Sequence, residues 1–124
     1  MVATPRTTMT DPSDFGKAMQ EFYSASNSIT AFAGGGQTSA TQLTRAFNRI
    51  TTCATGGDSV KLPTALSGAQ VVVVNRGAAS CNVFPKSSEA INALANNTQL
   101  AVGIGLVAIF TCILTGKWEA GAPS

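Results

Sequence analysis

Ala69-Gln70-Val71-Val72-Val73-Val74-Asn75-Arg76-Gly77 is the stretch that decides the fold. Four consecutive valines are stiff at χ1 and fit a pleated, extended chain. Asn75-Arg76-Gly77 supplies the residue types that turn it. The valine run has no polar side, and a strand of that kind is covered on both faces. In one small sandwich a face normally meets water, so the second cover is expected from a neighbouring subunit. A monomeric protein with this strand half exposed would remove that expectation.

Working outward, short strands and turns alternate. Downstream, Ser80 to Phe84 reads as the next strand, Pro85-Lys86-Ser87-Ser88 as a turn, and Ala90 to Leu94 as a brief strand. Gln99 to Val102 and Leu106 to Leu114 read as a hairpin across Gly103-Ile104-Gly105, with a last short strand around Trp118. Trp118 itself is expected in the core or at a subunit interface. Upstream, Ser59 to Leu62 alternates and stops at Pro63, and Gly34-Gly35-Gly36-Gln37 forms a turn. Ala40 to Thr55 is ambiguous: Leu43, Phe47 and Ile50 can line a helix, but β-formers in the second half favour a strand there. The fold class expected is mainly β, a small β-sandwich or jelly-roll-like domain over residues 29–124.

The first 28 residues read as an arm. Asp11 is an N-cap, Pro12 suits the first helical position, and Asp14 complements the helix dipole. Phe15, Ala18, Met19, Phe22 and Tyr23 then fall on one stripe of a helix over about residues 12–24. A helix of this length is unstable alone in water, so the stripe must dock. Its own domain and a neighbouring protein are both open as the surface it meets.

The 124 residues fit one domain plus such an arm. Hydrophobic residues make up 44% of the chain and charged ones 11%, against about 25% in ordinary soluble domains. That balance suits a surface that meets other protein. The net charge is +2 and the eight basic residues are scattered, so no run tracks a phosphate backbone and no nucleic-acid partner is expected. Arg45 and Arg49 would share a face only if they lay on a helix, where solvated charges or local ion pairs are the plainer reading.

Chemistry is sparse. The chain has no histidine, which removes the commonest general base and metal ligand. Cys53, Cys81 and Cys112 form no C-x-x-C, so no metal site is expected. Three buried thiols in a chain made in a reducing cytosol is the leading reading, with a disulfide as the alternative. No nucleophile elbow occurs, and the six acids show no catalytic spacing. Gly103-Ile104-Gly105-Leu106-Val107-Ala108 matches a dinucleotide fingerprint, but only nineteen residues follow Gly105 and the match must open a helix to work. No enzyme and no cofactor are expected. Met1 to Thr10 reads as polar, without a secretory core. Leu100 to Leu114 is apolar but fifteen residues long, short of the about 20 that span a membrane, so no membrane partner is expected. A small membrane protein such as a holin is the reading this stretch would otherwise support.

Several elements then resemble a family. They are Ile29 to Gln37, Ala40 to Leu43, Gly57-Asp58-Ser59-Val60-Lys61-Leu62-Pro63, and Val71 to Asn75 with Gly77-Ala78. Asn82-Val83-Phe84-Pro85, Ile91-Asn92, Phe110 and Gly116-Lys117-Trp118 complete the set. Together they resemble small virion proteins of tailed bacteriophages, over about three-quarters of the chain. The resemblance implies a β-sandwich or jelly-roll module, assembled as a homotrimer on the capsid exterior or in fibres, and made in the host bacterial cytoplasm. It implies a capsid decoration, or cement, protein whose partner is the major capsid protein. A head-fibre or tail-associated receptor-binding protein is the alternative. Phe15, Ala18, Met19, Phe22 and Tyr23 are the partner-binding residues expected from the arm, which lies outside the resemblance. The chain departs from the family at Lys86-Ser87-Ser88-Glu89, where relatives often carry a glycine-containing turn.

Overall fold

Ten strands follow one another in the computed structural model, whose described residues are 24–121. They are β1 (Ala25–Thr30), β2 (Thr41–Gln42), β3 (Phe47–Thr52), β4 (Ser59–Lys61), β5 (Gln70–Asn75), β6 (Cys81–Phe84), β7 (Ala90–Ile91), β8 (Leu100–Val102), β9 (Val107–Leu114) and β10 (Lys117–Ala120). The domain is mainly β, as the sequence predicts. Of the helix expected over residues 12–24 only Ser24 is described, and it is not helical; the stripe Phe15, Ala18, Met19, Phe22 and Tyr23 lies outside the described residues. The boundary expected between residues 28 and 29 falls inside β1.

Two sheets form, one of six strands in the order β1-β3-β5-β9-β10-β7 and one of four in the order β2-β4-β6-β8. From β1 to β6 the chain alternates between them. Each strand lies parallel to the one two places earlier: β1 with β3, β3 with β5, β2 with β4, and β4 with β6. Ala25 pairs with Phe47 and Phe47 with Val72, so the backbone coils in stacked turns of solenoid kind. A parallel pair needs a long crossover, and here the crossover is a strand of the opposite sheet. This differs from the antiparallel arrangement of a jelly roll. After the coil, β8 and β9 run antiparallel to β6 and β5, and β10 antiparallel to β9.

The expected hairpin across Gly103-Ile104-Gly105 is not formed. β8 belongs to the four-stranded sheet and β9 to the six-stranded one, so these residues turn a corner between sheets. Gly105 takes φ 77° there, and its N–H donates to the Asn75 carbonyl at 2.7 Å. The second half of Ala40 to Thr55 is the strand β3, and Arg45 and Arg49 therefore share no helix face.

The core lies between the sheets. Ile50, Val73, Phe110, Cys112 and Trp118 enter it from the six-stranded sheet, and Val60, Cys81, Val83 and Val102 from the other. Trp118 and Phe110 head its largest wholly buried side chains. Where the family resemblance expects a glycine-containing turn, Ser88 itself adopts φ 70°. Its N–H donates to Asn97 Oδ1 at 2.8 Å, which holds the turn without glycine.

Candidate interaction face

β9 alternates strictly through its first six residues. Ala108, Phe110 and Cys112 point into the core, while Val107, Ile109 and Thr111 point away from it. β5 does the same, with Val71 and Val73 inward and Val72 and Val74 outward. Alternation of facing is inherent to a strand, but here the outward positions are apolar too. Val107, Ile109 and Ile113 are 52%, 49% and 71% exposed.

Register gathers these side chains. Val72 stands opposite Ile109, and Val74 opposite Val107, on neighbouring antiparallel strands. Arg49 of β3 continues the Val74 row and Glu119 of β10 continues the Thr111 row. The outer face of the six-stranded sheet is thus an apolar centre with charged residues on both flanks. Soluble monomers rarely expose contiguous apolar patches, and such patches mark interaction sites.

Among the described residues the valine run is therefore covered fully on one face only: Val71 and Val73 are buried, Val72 and Val74 half-buried. The sequence reading missed that β9 extends the same exposed surface. The signal was present in Val107-Ala108-Ile109-Phe110, another run without a polar side.

At the end of this sheet where β3 and β5 begin lies a cleft of about 300 Å³. Thr44, Arg45, Phe47, Pro63 and Gln70 are among its lining residues, and among the described residues Arg45 is the only charged one there. Ser24, the first described residue, meets its rim, accepting a hydrogen bond from the Phe47 N–H at 3.0 Å.

Two carboxylates serve the backbone. The Asp58 carboxylate accepts from the N–H groups of Gly34 at 3.4 Å and Thr55 at 3.2 Å. Glu89 accepts from the Ala65 N–H through both oxygens, at 3.1 and 3.3 Å. Cys53, Cys81 and Cys112 are all buried free thiols. Burial pushes the Cys81 thiol far above its ordinary range, and the neighbouring Cys53 and Asp58 add to that. Cys53 is raised by burial as well, against a lowering hydrogen bond with Cys81.

Among the described residues no three His, Cys, Asp or Glu side chains gather as a metal site needs. The residues of the dinucleotide-like motif turn a corner and enter a strand, not a helix. Among the described residues no helix is long and apolar enough to cross a membrane, and Leu100 to Leu114 is divided between β8 and β9. Asp11, Asp14 and Glu21, like the arm's apolar stripe, lie outside the described residues. No family model matches this chain, and no curated protein or solved structure matches it either.

Proposed function

We propose that the chain is a structural protein of a tailed-bacteriophage particle, a decoration protein that stabilises the head by binding over junctions of the major capsid subunits. The observation that carries this reading is the apolar outer face formed by the half-buried Val72 and Val74 and the exposed Val107, Ile109 and Ile113. A surface so built gains free energy by meeting protein, at about 25 cal/mol per Å² of apolar area, less the cost of ordering what docks. The resemblance of residues 29–118 to small phage virion proteins supplies the biological setting. The two-sheet domain takes the place of that family's β-sandwich or jelly-roll module.

In this reading the domain sits on the shell exterior, with further copies of itself as neighbours, a homotrimer by the resemblance. The arm reaches across adjacent shell subunits through Phe15, Ala18, Met19, Phe22 and Tyr23. Many identical copies act together, so occupancy exceeds what one contact would sustain. The reading involves no enzyme chemistry, cofactor, nucleic acid or membrane.

The test is the copy number of this chain in purified particles, measured by quantitative mass spectrometry against the major shell protein. A ratio near one per shell subunit, or a large simple fraction of it, supports decoration. A handful of copies moves the protein to a head fibre or tail, and absence from particles removes the reading. In particles that pass, Met19→Ser with Phe22→Ser is expected to release the protein, and unchanged occupancy would overturn the arm's assignment.

A further inference from the structure

The outer face of the six-stranded sheet is self-complementary. Arg49 lies on β3 in the row of Val74, and Glu119 lies on β10 in the row of Thr111 and Gln70. The order of the central strands is β3-β5-β9-β10. The Val72–Ile109 pair therefore falls midway between the two charges, with Arg49 one strand beyond β5 and Glu119 one strand beyond β9. Along the strands the two are displaced by one same-face step in opposite directions. Both are exposed, and among the described residues neither has an ion-pair partner.

A face with an apolar centre and opposite charges at opposite corners fits a second copy of itself. We infer that two chains pair through this face about a two-fold axis through the Val72–Ile109 pair, with each Arg49 opposite the other chain's Glu119. An interface of this kind is isologous: every contact occurs twice, and the pairing closes. The geometry fixes the crossing angle as well. Arg49 and Glu119 are separated by three strand spacings across the sheet and four residues along it, about 14 Å each way on standard sheet dimensions. A two-fold axis lying in the interface that exchanges the two corners runs diagonally to the strands. The strands of the two sheets then cross near a right angle, the orthogonal class of sheet packing. The apolar centre supplies affinity, and the charged corners fix which of the possible registers forms.

This pairing supplies the second cover that the four valines call for, from a copy of the same chain. It departs from the homotrimer that the family resemblance implies. It occupies the face from which the virion reading starts, so in the paired protein that face meets a second copy and the shell contact falls to the arm, but the two readings fail separately. A pair in solution from a chain absent from particles would keep the pairing and remove decoration, and a monomer abundant on particles would do the reverse.

The experiment is sedimentation equilibrium of the full chain over a range of concentrations, with charge exchanges. The native chain is expected at twice its 12.6 kDa. Arg49→Glu and Glu119→Arg alone are each expected to weaken pairing by about tenfold or more, and the double exchange to restore most of it. Ile109→Lys, at an exposed position, is expected to abolish pairing while keeping the unfolding midpoint that the native chain shows when diluted below pairing. A native monomer would overturn the inference, with the face left open or covered by the chain's own arm, and a three-chain mass would overturn it too. So would single exchanges that leave the association constant within twofold, or a double exchange that fails to recover it.

Discussion

The side-chain amide of Asn75 donates to the Val102 carbonyl at 2.9 Å, joining the end of β5 to the end of β8 across the two sheets. The same amide donates to the Ala79 carbonyl at 2.9 Å, and its oxygen accepts from the Gly77 N–H at 2.9 Å. Its backbone N–H and carbonyl meet Leu106 and Gly105. Asn75 is wholly buried, and it gathers the turn after the valine strand and the corner before β9 around one side chain.

Asn75→Ala is therefore expected to destabilise the domain by about 3 kcal/mol, because it leaves buried backbone groups without partners. Asn75→Asp keeps the acceptor but loses both donors and brings a charge into the interior, and it is expected to cost at least as much. Urea denaturation of the two variants against the native chain measures both. A loss under about 1 kcal/mol would mean that water replaces the amide there.

Much of this was legible in the sequence, and the part that was not has a physical reason. The strands at Ser59, Val71, Cys81 and Trp118 follow from β-branched and aromatic runs bounded by turn residues. Such patterns are blind to which strand pairs with which. Val71 to Val74 reads the same beside a parallel or an antiparallel neighbour, so the sequence pattern does not separate the coil of β1 to β6 from a sandwich. Gly103-Ile104-Gly105 turns the chain either within a sheet or between two, so these residues alone do not separate a corner from a hairpin. The outer face was half legible: the valines announced a need for cover, but only the β5–β9 register joins Val72 to Ile109.

Gly77 is irreplaceable for a reason that lies in the fold. A Cβ there would sit 2.6 Å from both Cys53 Cβ and the Cys53 backbone nitrogen, atoms that cannot move aside without shifting the chain after β3. Gly77→Ala is expected to cost about 3 kcal/mol by overpacking. Gly56→Ala, where a Cβ meets nothing within 4 Å, is the matched control and is expected to change stability by no more than about 0.5 kcal/mol. Chemical denaturation of the pair checks the contrast, and equal effects would place the constraint elsewhere.

Trp118 is wholly buried, and its indole N–H has no partner among the described residues. Trp118→Phe removes that donor along with part of the packing, so the two effects oppose each other. It is expected to cost about 1–2 kcal/mol, whereas Trp118→Ala, which opens a large cavity, is expected to cost about 3–5 kcal/mol or prevent folding. Thermal unfolding of both variants orders them. Equal losses would mean that the N–H is hydrogen-bonded in solution.

The paired thiols make stability fall in alkali. Burial holds Cys81, and to a lesser degree Cys53, protonated in the folded chain above the ordinary value of 9.0. The unfolded chain loses those protons near that value, so above it the native state binds more protons than the unfolded state. Stability is then independent of these thiols below about pH 8 and declines as pH climbs past about 9, by at most about 1.4 kcal/mol per pH unit for each thiol. The urea midpoint is expected to be lower at pH 10 than at pH 8, and Cys81→Ala is expected to flatten that difference while lowering stability at both. Thiol labelling gives the second check. All three cysteines are buried and free, so the native chain is expected to resist alkylation at pH 8 and to take three labels once denatured. Rapid labelling of Cys81 in the native chain would show that its neighbourhood opens to water, and the alkaline loss of stability would then disappear with it.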